Sequence, residues 1–496
     1  MNDRYHLDAL LNAKRIHILG IAGTAMGTFA GMLKARGVEV RGSDAAAYPP
    51  MSDQLHSQAI PLMLGYAPEN LDWGPDFVIV GNVIRQVNPE ATAMRERGLP
   101  HASFPEAFGQ LFLRNRRPIV VTGTHGKTTT TSLIAWLLEH GGTQPGLFVG
   151  GVPLNFGRSF RLGDGLPFVV EGDEYDTAYF DKAPKFLHYA PQVGVITNIE
   201  FDHADIFSDV DVIETWFARF AALLPPQGRL VVHGAEARAR RAATAAACPI
   251  ETYGRGAAVR GAGLDEPEWH AEDVSLSGDG ATFRLWRGDR DLGLFDSPLP
   301  GLHNVDNTVA ALAVVIGDGL PHNTARTGLA AFRSVKKRQE VKGVVRGVTV
   351  IDDFAHHPTA VRETVSAISA RYLRHPGARL FCCFEVESNT SRRRVFQSDY
   401  PPAFDGASVV LFCKPLDKAD NLPEDARIQL PEVVGSLEAM GVEAHLIPEV
   451  DDIIAWLVPR LRAGDVVLGM SGRHFHGFHD RLLMELDIHR GNDPTH

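Results

Sequence analysis

The chain has 496 residues, of which 44% are hydrophobic and 22% charged, the balance of a folded globular protein and not of a disordered or fibrous one. Lys and Arg number 49 against 60 Asp and Glu, a net charge of −11, which argues against a broad nucleic-acid or anionic-membrane surface while leaving room for a local phosphate site. At roughly 150 residues per domain the length predicts about three domains, and no stretch reaches the roughly 18–20 unbroken apolar residues of a membrane helix.

Residues 1–11 carry Asp3, Arg4, His6 and Asp8 and lack the apolar centre of a secretory signal. A first strand reads at Ile16-His17-Ile18-Leu19, followed by a glycine turn with Gly20, Gly23 and Gly27. Met26, Phe29, Ala30 and Leu33 then fall on one helical face, which Gly37 ends. Val38-Glu39-Val40 predicts a second strand with Asp44 after it, and Phe77-Val78-Ile79-Val80 a third. The pattern is a β-α-β unit. The basic, proline-bounded segment from Arg114 to Pro118 reads as a linker.

A second unit opens with the strand Ile119-Val120-Val121. The loop Gly123-Thr124-His125-Gly126-Lys127-Thr128-Thr129 follows, and then a helix with Leu133 over Leu137 and Ile134 over Leu138. Glycines there let backbone N–H groups approach phosphate oxygens, and the helix N-terminus adds positive potential. Lys127 suits the β- and γ-phosphates, and the hydroxyl of Thr128 or Thr129 suits magnesium. Only two residues separate the glycines, so the general four-residue phosphate-loop pattern is not met. The strand Phe168-Val169-Val170 runs into Glu171-Gly172-Asp173-Glu174, hard oxygen ligands at a strand end. Another strand, Gly194-Val195-Ile196, leads to Asp202-His203-Ala204-Asp205. The stretch from Cys248 to Leu299 reads as an antiparallel extension of a parallel sheet. Gly301-Leu302-His303-Asn304 precedes an apolar helix over 308–316, which Asn304 could cap unless it bonds a base edge.

A third unit begins near Phe332. Strands read at Val348–Ile351, Arg379–Phe381, Val409–Phe412 and Val466–Leu468, with a helix from Thr359 to Ala370 between the first two. Strands alternating with helices predict a doubly wound parallel sheet. Lys336-Lys337-Arg338 reads as a solvated turn. Asp352 and Asp353 close a strand, where they could bind a ribose or cap the next helix. The cysteines Cys248, Cys382, Cys383 and Cys413 have neither metal nor disulfide spacing and are expected to be buried thiols in a reducing cytoplasm.

Together these motifs resemble the Mur ligases, ATP-dependent amide ligases of peptidoglycan synthesis, over nearly the whole chain. The resemblance implies an α/β fold of three domains: a Rossmann-like UDP-sugar domain over 1–116, a central P-loop ATPase-like domain over 117–331, and a Rossmann-like domain over 332–496 that binds peptide and closes the ATP site. It implies ATP and magnesium as cofactors. Gly123 to Thr129 match the family's shortened phosphate loop, with Lys127 catalytic. Glu174 and His203 match its metal residues, joined by Thr128. Asn304 matches the adenine-side asparagine, Arg338 the arginine near the γ-phosphate, and Asp352 or Asp353 the ribose-side acid. Gly20, Gly23 and Gly27 lie near the pyrophosphate of a UDP-sugar in this reading, with Asp44 and Asn155 assigned to the same substrate.

Within the family, two kinds of member fit best. One adds L-alanine to UDP-N-acetylmuramate; the other adds the preformed tripeptide L-Ala-γ-D-Glu-meso-diaminopimelate, a recycling reaction. The segments 23–27, 43–52 and 174–182 resemble the second, which is the expected activity, with UDP-N-acetylmuramate and the murein tripeptide as partners and neither nucleic acid nor membrane insertion. One position departs. Glu387, in Glu385-Val386-Glu387-Ser388, stands where the recycling members have an arginine, and Arg392, Arg393 and Arg394 are the nearby cations that could replace its contact with a peptide carboxylate. Some members use a carbamylated lysine, but no lysine lies between Lys185 and Lys336. Two other classes compete. A nicotinamide dehydrogenase would use the 20–27 turn, whose spacing is not Gly-x-Gly-x-x-Gly. A nucleotide switch would leave the third unit without a role.

Overall fold

A computed structural model describes residues 3–48, 51–375, 377–415 and 422–488; Pro49 and Pro50, part of the segment 43–52, lie outside the described residues. Two compact units divide the chain. One comprises Met1–Ile199, Asp211–His270 and Val309–Gly328, the other Glu200–Val210, Ala271–Thr308 and Leu329–His496.

The first unit opens with β1 (Arg15–Leu19), β2 (Glu39–Asp44), β3 (Leu62–Leu64), β4 (Phe77–Val80) and β5 (His101–Ser103), parallel in the order β3-β2-β1-β4-β5. The apolar β4 is buried along its whole length, as a parallel strand covered on both faces must be. The helix Thr24–Ala35 buries Met26, Phe29, Ala30 and Leu33, the face expected from their spacing. Asp44 ends β2 instead of following it, because the strand continues past Val40 by pairing with β1 and β3.

The same unit continues with β6 (Arg117–Thr122), β7 (Gly146–Phe148), β8 (Phe160–Arg161), β9 (Pro167–Glu171), the hairpin β10 (Asp176–Ala178) and β11 (Asp181–Pro184), then β12 (Val193–Ile196), β13 (Arg229–His233) and β14 (Ile250–Arg255). Their order is β14-β13-β12-β6-β9-β7-β8, parallel except for β8 against β7. Two expectations are corrected here. The segment Arg114–Pro118 is not a free linker: β6 starts at Arg117, and the Arg116 guanidinium bonds the carbonyl of Gly163 at 3.1 Å. The segment after Cys248 is not antiparallel from its start, since β14 pairs parallel with β13. The later part of that stretch is antiparallel as expected, in the hairpin of β16 and β17 described below.

After β15 (Trp269–Ser277), the second unit forms an antiparallel hairpin of β16 (Gly280–Arg287) and β17 (Arg290–Ser297). It then builds a sheet from β18 (Glu340–Val345), β19 (Val348–Asp353), β20 (Leu380–Phe384), β21 (Val409–Phe412), β22 (Glu443–Leu446) and β23 (Val466–Met470). The order is β18-β19-β23-β20-β21-β22, parallel but for β18. Alternation along β20 sends Leu380, Cys382 and Phe384 into the core on one face and Phe381 and Cys383 into the other. The vicinal cysteines therefore point apart, and all four cysteines are free and buried. Burial pushes the Cys413 thiol up to about 12. Among the described residues no helix is long and apolar enough to cross a membrane.

Candidate active site

The glycine loop lies between β6 and the helix Lys127–His140. It is pinned from behind by the end of β12. Thr124 N–H donates to the Asn198 carbonyl at 3.0 Å, His125 N–H to Asn198 Oδ1 at 2.8 Å, and Thr197 Oγ1 to the His125 carbonyl at 2.6 Å. Asn198 and Thr197 carry no motif signal of their own. Only the parallel pairing of β12 with β6 brings them to the loop.

The helix start puts Lys127 inside the loop. Its ammonium donates to the carbonyls of Gly123 at 2.5 Å and Thr124 at 3.1 Å and pairs with Glu174 Oε2 at 2.8 Å. Burial works against the charged lysine, but Glu174, Asp173 and Glu171 outweigh it and hold its pKa above the ordinary value. The three acids at and beyond the end of β9 thus have separate tasks. Glu174 faces Lys127. Glu171 Oε1 accepts from Thr128 Oγ1 at 2.9 Å, and its Oε2 accepts from Gly150 N–H at 2.7 Å. Asp173 pairs with Lys185 at 2.9 Å. Burial raises the Asp173 pKa, yet Lys185 and Lys127 outweigh that and keep it below the usual carboxylate range. A threonine hydroxyl and two carboxylates are hard oxygen donors, a set that fits magnesium.

In the first sheet of this unit, the turn after β1 is stitched to the end of β2. Gly20 N–H and Ile21 N–H donate to the Ser43 carbonyl at 2.8 and 3.1 Å, and Ala22 N–H donates to Asp44 Oδ2 at 2.9 Å. Gly23 precedes the helix Thr24–Ala35, and the Gly27 amide is committed within it, to the Gly23 carbonyl at 2.8 Å. Asn155 sits half-buried in the turn that closes on the Pro153 carbonyl.

The remaining expected residues belong to the second unit. His203 adopts a left-handed conformation, φ 54°, and its N–H donates to Asp202 Oδ1 at 2.7 Å. Asp202 is buried and accepts from Thr390 Oγ1. Burial opposes its charge, but His203, His357 and His356 outweigh burial and hold its carboxyl far below the usual range. Asn304 corrects an expectation: the helix runs Leu302–Gly317, so Asn304 lies in its first turn and is not the cap. It donates back to the Pro300 carbonyl at 2.7 Å, and its Oδ1 accepts from Asn307 at 3.1 Å. Arg338 stacks over the Phe354 ring at 4.7 Å. Its neighbour Lys337 is no solvated turn residue; it donates to the carbonyls of Ser471, at 3.1 Å, and Arg473.

Asp352 and Asp353 part company. Asp353 is consumed structurally, accepting from Gln339 N–H and Ala355 N–H at 2.8 Å each and from Thr364 Oγ1 at 3.2 Å. Asp352 Oδ1 is buried with no hydrogen bond among the described residues; His479 Nε2 at 3.6 Å and Lys337 Nζ at 3.9 Å are its charged neighbours. Burial, chiefly, pushes the Asp352 carboxyl up from 3.8 to about 7. The folded chain thus keeps this proton where the unfolded chain loses it, so stability falls as pH rises from about 4 to about 7. Asp352→Asn cannot ionise. It is expected to gain thermal stability over the parent across that window and to keep the gain above it, read as Tm by calorimetry at each pH. A Tm difference independent of pH would sink this assignment.

Arg392 is buried and its carbonyl accepts from Ile428 N–H at 3.0 Å. Arg393 forms a backbone bridge with Arg427, and Arg394 points to Glu432 at 3.5 Å. Thr390, Ser471 and Arg473 join this region without having been singled out in the sequence. Nothing in their own segments marks them, because their partners are brought to them by other strands.

A glycine loop between strand and helix on a parallel sheet, backed by carboxylates and followed by a second doubly wound sheet, is an α/β frame suited to a nucleotide. Three family descriptions match the chain: Mur ligase family, catalytic domain, at 15–116; Mur ligase middle domain at 121–315; and Mur ligase, glutamate ligase domain, at 337–473. The UDP-N-acetylmuramate–L-alanyl-γ-D-glutamyl-meso-2,6-diaminoheptandioate ligase of Escherichia coli K12 is 37% identical over 469 residues, 95% of this chain and 97% of its own. A UDP-N-acetylmuramate–L-alanine ligase of Alkaliphilus metalliredigens is 30% identical over 95% of this chain and 97% of its own. Among solved structures, the murein peptide ligase of Psychrobacter arcticus 273-4 superposes with a TM-score of 0.72 at 32% identity, covering 96% of this chain and 99% of its own. The chain belongs to the Mur ligase family, with its three-domain α/β fold of parallel sheets.

Proposed function

We propose that this protein is the ATP-dependent ligase that joins UDP-N-acetylmuramate to L-Ala-γ-D-Glu-meso-diaminopimelate in peptidoglycan recycling. The observation that carries the chemistry is the Lys127 ammonium, buried in a glycine loop and held at 2.8 Å by Glu174 among further carboxylates. The full-length likeness to a ligase named for that tripeptide supports the acceptor.

A carboxylate resists an amine because its charge repels the nucleophile and oxide is a poor leaving group. Transfer of the γ-phosphoryl of ATP to the muramic acid carboxylate gives an acyl phosphate and releases ADP. The peptide's amine attacks it, the amide forms and phosphate leaves. Lys127, Arg338 and the N–H groups at the helix start from Gly126 to Thr129 neutralise phosphate charge, and their benefit is electrostatic, while Gly123, Thr124 and His125 shape the loop, the N–H groups of the last two being held by Asn198. Thr128 and Glu174 would hold magnesium, and His203 is the metal-associated residue of the second unit. The ion supplies charge neutralisation on the phosphates. Asn304 serves the adenine. Asp352, with its unbonded buried oxygen, fits the ribose hydroxyls better than Asp353, which the fold has already used. Gly20, Gly23, Gly27, Asp44 and Asn155 serve the UDP-sugar. Domain limits at 1–116, 117–331 and 332–496 belong to the same reading, supported by the separate family matches. A cytoplasmic setting follows from the nucleotide substrates and the four free thiols.

The second reading is the L-alanine-adding ligase, favoured by relatives 30–34% identical over most of the chain. Phosphate release with magnesium-ATP and UDP-N-acetylmuramate separates them, with tripeptide or L-alanine offered at equal concentration. Higher kcat/KM with tripeptide is expected. Higher kcat/KM with L-alanine would move the protein to the other member.

A further inference from the structure

In open α/β sheets, ligands gather beyond the carboxyl ends of the strands. In the second unit the adjacent parallel strands β19, β23 and β20 end at Asp353, Met470 and Phe384. The segments leaving β20 and β23 are clasped together. Glu385 N–H donates to the Met470 carbonyl at 3.0 Å, and Ser471 Oγ donates to Glu385. Arg473 N–H donates to Ser471 Oγ at 2.8 Å. Lys337 donates to the Arg473 carbonyl. The Arg473 backbone is thus held from both sides.

Its side chain is held by one edge. Glu387, 4% exposed, places Oε2 at 3.0 Å from Arg473 Nε. Gly472 makes this approach possible, because a Cβ there would overlap Glu387 Oε1. The Arg473 side chain is nevertheless 60% exposed, and its Nη groups make no ion pair among the described residues. A guanidinium fixed at Nε presents a planar pair of donors to the outside, the geometry that a carboxylate takes in bidentate fashion. The surrounding charge selects the anion. Glu387 stands directly beside the guanidinium and Glu385 is one residue away through Ser471, so the local charge suits an anion of low charge, a single carboxylate. Of the nearby cations, Arg392 is buried and Arg394 is turned to Glu432.

We propose that Arg473 binds a carboxylate of the acceptor peptide beyond its L-alanine, and that Glu387 is the residue positioning it. The acidic side chain at 387 therefore does not reverse the charge met by the peptide; it carries the cation on the neighbouring strand end. This rests on the peptide-ligase reading above.

The test uses the full-length enzyme with magnesium-ATP and UDP-N-acetylmuramate. Four acceptors are compared: the tripeptide, the same tripeptide with L-lysine in third place, L-Ala-γ-D-Glu, and L-alanine. Arg473→Ala is expected to raise the KM for tripeptide about 10–100-fold, the scale of a lost charge-assisted hydrogen bond. KM for ATP and for the UDP-sugar should stay unchanged. The variant should also erase the wild-type preference between the two acceptors that differ by the bound carboxylate. Arg473→Lys recovers part of the affinity, and Glu387→Gln weakens tripeptide binding in the same direction by less. An Arg473→Ala KM that is unchanged, or raised equally for all acceptors, overturns the proposal. A wild-type enzyme that turns over none of the peptides overturns the ligase reading instead, so the two failures are distinct.

Discussion

Lys127→Ala is expected to lower kcat about 10²–10³-fold while the protein stays folded. Lys127 makes its bonds to the carbonyls of Gly123 and Thr124 and to Glu174 within a buried loop, so its charge acts where water cannot screen it. Removing it deprives the transferring phosphoryl group of a fixed cation and leaves Glu174 facing the phosphates uncompensated. Three further carboxylate oxygens in the loop's surroundings already bond elsewhere, to Thr128, Gly150 and Lys185, so the architecture keeps its other ties. Single-turnover phosphate release measures the chemical step, and circular dichroism with thermal melting checks the fold. A kcat within a few-fold of wild type would remove Lys127 from the phosphate site.

Gly123→Ala is expected to cost about 10²-fold in turnover, the scale of a catalytic group displaced by about 1 Å. Gly123 sits at φ 129°, a conformation that side-chain-bearing residues rarely adopt, and a Cβ there would overlap Thr197 Oγ1 and lie 3.0 Å from the Asn198 backbone nitrogen. Thr197 is the residue whose hydroxyl holds the His125 carbonyl, so relief of the clash must move the loop. Backbone strain of about 1–3 kcal/mol should also lower Tm. The informative comparison is Gly142→Ala. That glycine also has a positive φ, 78°, yet a Cβ there meets nothing within 4 Å. Its substitution should lower Tm modestly and leave turnover intact. Equal turnover losses at both positions would mean that the Gly123 effect is general destabilisation and not loop displacement.

Local chemistry made much of this protein legible in advance. The apolar runs of β1, β4, β6 and β23, the helical face of Met26, Phe29, Ala30 and Leu33, and the strand–loop–helix frame around Lys127 depend on neighbours a few residues away. The family motifs are of the same kind, short and contiguous, and so were readable without coordinates. What the sequence left open were choices between neighbours of equal chemistry. The resemblance marked Glu174 among Glu171, Asp173 and Glu174, but only the fold gives Lys127 to Glu174, Thr128 to Glu171 and Lys185 to Asp173. The same is true of Asp352 and Asp353, of which one is spent on backbone N–H groups. Helix limits misled at Asn304 because residues from Leu302 onward are already helical, and strand direction misled at β14 because pairing partners are not written in a strand's own residues. Arg473 was invisible for the same reason. Its partner Glu387 lies 86 positions earlier by sequence number, and the two meet only because β20 and β23 are parallel neighbours that end side by side. Periodicity and turn chemistry act along the chain and specify elements; sheet order and register act across it, and they decide which buried charge meets which.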